Sequence, residues 1–161
     1  MAKTNIKLEM LNPNHAIELE NKHVIDMAEF MMLLIMYDNM VKSEKEHESN
    51  SDALYELHWI IRDIKTDAIG GLIGLTGINH KDKKATLLTA DIQESKMILK
   101  SCKLIENYCI NTLKLNSVEG FADRGINLDF WKKFGYTTKS GGNTPEDIFF
   151  FTKVFNNVKK R

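Results

Sequence analysis

The chain has 161 residues, and its 22 acidic and 22 basic side chains give a formal net charge of zero. This length is enough for a buried core, and we predict a single domain spanning residues 1–161. A neutral chain lacks the overall basic field that attracts nucleic acid, which argues against nucleic acid as a partner. The longest apolar run, residues 30–37, is well short of the ~20 residues of a membrane span, so we expect no membrane partner.

The two cysteines, Cys102 and Cys109, lie seven residues apart on one predicted helix. This spacing puts them on one face but about two turns apart, which is too far for a disulfide. We predict small buried thiols in a reducing compartment. With no apolar leader in the first residues, this indicates a cytoplasmic protein. Too few Cys and His residues surround them for a metal site, so none is predicted.

The N-terminal part predicts a strand followed by two helices. Residues 6–11 alternate between apolar and polar, and Pro13 then breaks the strand. Either Asn12 or Asn14 can cap a first helix over residues 15–22. A second helix is predicted over residues 24–41, and the charged stretch 42–52 is predicted to be a loop or a frayed helix end.

The second predicted helix carries four methionines. One apolar stripe is formed by Val24, Ala28, Met31 and Ile35, with Met27 and Leu34 beside it. The favoured interpretation is that its methionines, Met27, Met31, Met32 and Met36, fill an irregular part of the core. The alternative is an adaptable wall of a substrate groove, a use to which methionine is suited.

Three strands are predicted next, over residues 54–62, 68–78 and 85–89, with turns at 63–67 and 79–84. Together they form an antiparallel meander. The middle strand contains four glycines, at positions 70, 71, 74 and 77. Because glycine weakens a strand, its density here predicts a bulge or the close approach of another group.

The third strand leads through a polar turn into an amphipathic helix over residues 95–113. Its apolar stripe is Ile98, Cys102, Ile105 and Cys109. A helix N-terminus directly after a strand is typical of an anion site, because its first N–H groups are unpaired and carry partial positive charge. The strand at 117–122 follows this helix, and we expect it to run parallel to the strand before it.

The remaining elements are a helix over residues 126–134, a strand at 136–139, a loop at 140–146 and a strand at 147–155. The predicted fold class is therefore α/β (α+β). We expect a mixed, mostly antiparallel sheet of six to seven strands, one splayed parallel pair, and helices on both faces.

This order of elements resembles the GCN5-related N-acetyltransferase (GNAT) superfamily, and within it the ribosomal-protein-type acetyltransferases. The similarity extends over nearly the whole chain. HWIIRDIKTDAIGGLIGLTGI resembles the central hairpin, LTADIQESKMI the strand end and pyrophosphate loop, and FWKKFGY the signature before the last strands. The resemblance implies an enzyme that transfers an acetyl group from acetyl-CoA to an amine of a small molecule or protein.

The resemblance also implies where acetyl-CoA binds. In the family its pantetheine lies on the backbone of the fourth strand, between the two splayed strands, and its pyrophosphate lies on the loop before the helix. The cofactor-binding residues implied for this chain are Leu88, Thr89, Ala90, Gln93, Glu94, Ser95, Lys96, Met97, Ile98 and Trp131.

Two positions depart from the family pattern. In the loop, Gln93 stands at the first position, but Lys96 replaces a glycine and Ile98 a small residue. Lys96 either supplies a charge to phosphate or marks a loop that has lost its ligand. Trp131 stands where the family often has the tyrosine that protonates the leaving thiolate, and indole is not an acid at neutral pH. The alternative function is therefore a GNAT-fold protein that no longer catalyses and binds a partner or an anionic ligand.

The general base is not marked by a motif. Glu119 on the fifth strand is the candidate catalytic residue, since a strand carboxylate can activate an amine through a water molecule. His58, Asp63 and His80 are weaker candidates, and surface or hydrogen-bonding roles are favoured for them. Apolar residues on both faces of the last strand (Phe149, Phe150, Phe151) leave a homodimer open.

Overall fold

The fold is built around a seven-stranded sheet. The computed structural model describes residues 5–91, 97–123, 135–140 and 148–155. Its strands are β1 (Ile6–Met10), β2 (Tyr55–Asp63), β3 (Ile69–Asn79), β4 (Lys84–Asp91), β5 (Ser117–Asp123), β6 (Thr137–Ser140) and β7 (Ile148–Val154). The helices described are α1 (Pro13–Asn21), α2 (Met27–Ser49) and α3 (Met97–Asn111). The helix predicted over 126–134 and most of the loop predicted over 140–146 lie outside these ranges.

The strand order is β1-β2-β3-β4-β5-β7-β6. Every neighbouring pair is antiparallel except β4 with β5, which are joined through α3 and run parallel. The predicted fold class is confirmed: the sheet is mixed and mostly antiparallel, and it contains the meander and the parallel crossover.

Helices cover both faces of the sheet. On β2, the Trp59 ring meets Tyr108 of α3 edge-on, with ring centroids 5.2 Å apart. Arg62 has the opposite parity on the same strand, and its guanidinium donates to Glu18 of α1. Because side chains alternate along a strand, α3 lies on one face and α1 on the other, where α2 packs on α1 and β2. We name these the α3 face and the α1–α2 face.

The main core lies between the sheet and α3. Both cysteines are buried and free there, as predicted, and burial raises the pKa of each thiol to about 12. The fully buried side chains of the sheet on this face include Ile61, Ile73, Leu75, Leu87 and Val118, and those of α3 include Cys102, Ile105 and Cys109.

Helix α1 begins two residues earlier than predicted from the sequence. Asn12 is the N-cap, and its side chain accepts from the N–H of Asn14. His15 completes a capping box by accepting from the N–H of Asn12, with Pro13 at the start of the helix. Of the two asparagines that could cap this helix, the structure selects Asn12.

Helix α2 is longer than predicted: the stretch 42–52, predicted to be a loop or a frayed helix end, is part of the helix as far as Ser49. The helix runs from Met27 to Ser49 and is capped by Asp26 and Glu29. Its charged second half is rich in Lys and Glu, which are good helix formers, and an ion pair joins Lys42 to Asp38 one turn earlier. The scarcity of apolar residues in this half of the helix therefore led to the incorrect prediction of a loop.

The apolar stripe assigned to this helix is also wrong. Met31 and Ile35 are exposed, and the buried side is centred on Leu33 and Met40 instead, with Phe30 and Tyr37 partly buried beside them. Met27, Met31 and Met32 are exposed, so the core-filling role predicted for them is wrong, whereas Met36 is partly buried against the core as predicted. Their use as a wall of a substrate groove stays a prediction.

Arg62 ties three elements together at one end of the sheet. It bonds to Glu9 of β1 and to both carboxylate oxygens of Glu18, at 2.9–3.1 Å. The hydrogen bonds from Arg62 lower the pKa of Glu18 despite its partial burial. Burial would raise the pKa of Glu9, but hydrogen bonds from Arg62, Lys7 and His15 outweigh it, and that pKa is lowered too.

Within the described residues, no helix has both the length and the apolar character that crossing a membrane requires.

Candidate functional site

Strands β4 and β5 separate part-way along their length. Their parallel ladder has three residue pairs, and the last joins Thr86 to Glu119. Beyond it, β4 continues beside β3 and β5 continues beside β7. A wedge-shaped slot therefore opens between residues 87–91 and 120–123, on the side where β4 leads towards α3. This is the splayed pair predicted from the sequence.

The slot contains part of the predicted cofactor site. Leu88, Thr89 and Ala90 lie on the β4 edge, past the last pair with β5. Leu88 and Ala90 are exposed. Met97 and Ile98 begin α3, six residues after β4 ends. The other predicted cofactor residues, Gln93, Glu94, Ser95, Lys96 and Trp131, lie outside the described ranges.

Glu119 lies at the vertex of the slot. It is exposed, whereas its neighbour Val118 is buried on the α3 face, so Glu119 belongs to the α1–α2 face. Direct cross-strand partners share a face. Glu119 is accordingly the one carboxylate in a row of threonines that crosses five adjacent strands: Thr76, Thr86, Glu119, Thr152 and Thr137.

His58 of β2 lies on this same face, in a row two residues along the strands from the row of Glu119. The direct partners in its row are Gly74 on β3 and Leu88 on β4. Its Nε2 lies 2.8 Å from a carboxylate oxygen of Glu56. The ring occupies the space above Gly74, where an added Cβ would collide with Nδ1. His58 is 3 % exposed.

This arrangement confirms the close approach predicted from the glycine-rich strand. The bulge predicted from the same glycines lies at Gly77, which has a φ of +56° and sits within a register shift on β3. Sequence reasoning named His58 but missed its partners, Glu56 and Gly74. The available signal was a glycine on the strand next to a histidine flanked by apolar residues.

The other candidate bases have structural roles. Asp63 accepts backbone hydrogen bonds from Lys65 and Thr66 in the turn after β2. His80 lies at the opposite end of the sheet, 2.7 Å from the hydroxyl of Tyr55, and burial lowers its pKa, aided by His47. Neither residue adjoins the slot.

A second polar cluster fixes β6 and β7 onto α3. The Tyr136 hydroxyl donates to one oxygen of Glu106, and the Lys153 ammonium donates to the other, both at 2.9 Å. Burial, with the nearby Glu106 carboxylate, raises the pKa of Tyr136 well above its usual range. This cluster lies on the α3 face, away from Glu119 and His58, and its role is to anchor the second half of the sheet.

Comparisons of sequence give no relative: no protein-family model matches the chain, and no curated protein matches it. Comparisons of structure do. The spermidine N-acetyltransferase of Vibrio cholerae, solved as a dodecamer, superposes with a TM-score of 0.66 over 99% of both chains at 12% identity. The Campylobacter jejuni N-acetyltransferase PseH superposes with a TM-score of 0.63 over 94% of this chain and 99% of its own, at 16% identity.

The chain has the GNAT fold. A probable acetyltransferase gives the same result, with a TM-score of 0.69 over 94% of both chains at 15% identity. Two of these neighbours are named as N-acetyltransferases and the third as a probable acetyltransferase, and all three have the GNAT fold. At such identities the similarity establishes the architecture alone, and the ribosomal-protein-type assignment stays a prediction.

Proposed function

We propose that this GNAT-fold protein is an N-acetyltransferase that uses acetyl-CoA and accepts a primary amine. The observation that carries the proposal is the slot between β4 and β5, which opens immediately after the Thr86–Glu119 pair. A strand edge that has lost its neighbour presents unpaired backbone groups, and these can pair with the amides of an extended ligand.

The β4 edge fits the pantetheine arm of acetyl-CoA. Leu88, Thr89 and Ala90 would bind the arm through backbone groups, which need no particular side chain. Lys96, in the segment between β4 and α3, would contribute a positive charge for the pyrophosphate. Bound acetyl-CoA would supply a thioester carbonyl for attack by the amine.

The acceptor would approach from the α1–α2 face. Glu119 provides a negative charge at the vertex, surrounded by hydroxyl groups, and such a surface favours a cationic amine over an acidic acceptor. We therefore propose that Glu119 holds the amine beside the slot or accepts its proton through water. The Vibrio cholerae neighbour is named as a spermidine N-acetyltransferase, which makes spermidine and other polyamines a reasonable part of the first acceptor panel.

The test is calorimetric titration with acetyl-CoA, followed by a thiol-release assay with a panel of polyamines, aminoglycosides and peptide N-termini. Lys96→Glu should weaken acetyl-CoA binding at least about tenfold, since a hydrogen bond to a charged group is worth about 1.5–3 kcal/mol. Lys81→Glu makes the same charge change in the exposed β3–β4 turn and should leave binding unchanged.

The outcomes separate the two functions predicted from the sequence. Binding with amine-dependent thiol release supports the enzyme. Binding without release for any amine supports the non-catalytic alternative. No binding at millimolar acetyl-CoA contradicts both the enzyme and a CoA-binding module.

A further inference from the structure

Two histidines are buried on the α1–α2 face, His15 and His58, and their imidazole rings differ in hydrogen bonding. His15 uses both ring nitrogens: Nδ1 accepts from the N–H of Asn12, and Nε2 lies 3.1 Å from Glu9. His58 uses only Nε2, which bonds to Glu56. Among the described residues, none forms a hydrogen bond with Nδ1 of His58, although the ring is buried.

Glu56 determines which nitrogen of His58 carries the proton. A carboxylate accepts and cannot donate, so Nε2–H must point to it, and the lone pair then lies on Nδ1. An oriented imidazole with one nitrogen on a carboxylate and the other free is the arrangement of a general base. Glu56 is the ionisable group bonded to the ring, while Met40 of α2 accepts from the backbone N–H of His58 and Gly74 lies beneath the ring.

The free nitrogen lies above Gly74 of β3, the strand between His58 and β4. Nδ1 is the ring atom nearest to the space above Gly74, and Gly74 is directly opposite Leu88, the second β4 residue beyond the last β4–β5 pair. Neighbouring strands are about 4.8 Å apart, so the β4 edge is about one strand spacing beyond Gly74. A side chain at position 74 would displace the imidazole, and Leu88, the next residue in the row, is exposed and flanks the slot.

We propose that His58 Nδ1, oriented by Glu56, accepts the proton of the attacking amine, directly or through one water molecule. This inference rests on the proposed function and assigns the proton to His58, leaving Glu119 to hold the amine. Transfer of one ammonium proton to Nδ1 frees the lone pair of the amine, which forms the new C–N bond, and the electron pair of the C–S bond departs with sulfur as the CoA thiolate. The thiolate takes the second N–H proton, and Nδ1 returns the first to solvent.

The test compares pH–rate profiles of amine-dependent thiol release for wild type, His58→Gln, Glu56→Gln and Glu119→Gln. In His58→Gln the side-chain amide can still bond to Glu56 but cannot accept a proton at the Nδ1 position. It should lower kcat by about 10²–10⁴-fold and abolish the acidic limb of the profile, with unchanged acetyl-CoA affinity. Glu56→Gln should lower kcat less, because the tautomer is then no longer fixed. Glu119→Gln should chiefly raise KM for the amine.

Added imidazole should restore part of the activity of His58→Ala, which a purely structural role would not allow. The proposal is overturned if His58→Gln keeps the wild-type acidic limb and a kcat within about threefold. If wild type binds acetyl-CoA but releases no thiol with any amine, the proposed function fails separately. The inference is then decided by ¹⁵N NMR of the imidazole. An unprotonated Nδ1 whose ¹⁵N shift changes when acetyl-CoA binds supports the inference. A protonated Nδ1, or an Nδ1 shift that acetyl-CoA leaves unchanged, contradicts it.

Discussion

At the scale of single residues, Gly74 matters because the candidate base His58 fits above it only if position 74 has no side chain. Its missing side chain makes room for the His58 ring, and a Cβ there would meet the ring nitrogen and the Leu57 carbonyl oxygen. The glycine therefore serves the packing of His58.

We expect Gly74→Ala to lower the free energy of unfolding by about 1–3 kcal/mol, the range for overpacking a core. Because the closest contact of the added Cβ is with the His58 ring, the loss should be smaller when Gly74→Ala is made in the His58→Ala background. Urea denaturation of the two single variants and the double variant measures this coupling. An equal loss in both backgrounds would show that the ring does not fill the space above Gly74.

At the scale of elements, the Arg62 cluster decides how β1 and α1 attach to the sheet. Arg62 is buried, while Glu9 and Glu18 each keep about a quarter of their side-chain surface exposed. Removing the Arg62 guanidinium leaves the carboxylates of Glu9 and Glu18 without their cation, although both are partly shielded from water. The cost should therefore approach, without reaching, the ~3–5 kcal/mol of a fully buried pair.

Arg62→Met should lower the free energy of unfolding by about 2–3 kcal/mol at pH 7. The pKa values of Glu9 and Glu18 lie below their ordinary 4.5, so their stabilisation is complete above that pH and is lost as the pH falls through the lowered values. Denaturant midpoints from pH 7 to pH 3 should thus fall more steeply in wild type than in Arg62→Met. Lys42→Met removes an exposed ion pair and should cost less than about 0.5 kcal/mol. Parallel acid profiles for wild type and Arg62→Met would contradict the assignment.

Helix α2 shows why one element was predicted less well than the strands. Two apolar stripes are available on its first half, one through Met27 and Met31 and one through Phe30 and Leu33, and periodicity does not choose between them. The choice is made by packing against β2 and α1, which is a tertiary interaction. Its charged second half has helix-forming residues but no apolar period, so the end of the helix was placed too early.

At the scale of the whole molecule, the fold was largely predictable because the strands are apolar runs separated by polar turns and the crossover helix has a sustained apolar stripe. The splay between β4 and β5 was predicted through the resemblance, since no local pattern marks where two strands part. Glu119 was identified, but its face was not, because the face depends on the register with Thr86 and Thr152. The Glu56–His58 pair depends on a cross-strand neighbour, Gly74, that lies sixteen positions away from His58 in the sequence.

The central claim is that acetyl-CoA binds in the slot along the β4 edge, and amide hydrogen exchange with and without acetyl-CoA tests it most directly. Bound pantetheine should slow exchange at residues 87–91 of β4, whereas the β3–β4 turn at residues 80–83, at the other end of the strand, should exchange at an unchanged rate. Unchanged exchange along β4 at saturating acetyl-CoA, or protection confined to another surface, would contradict the account.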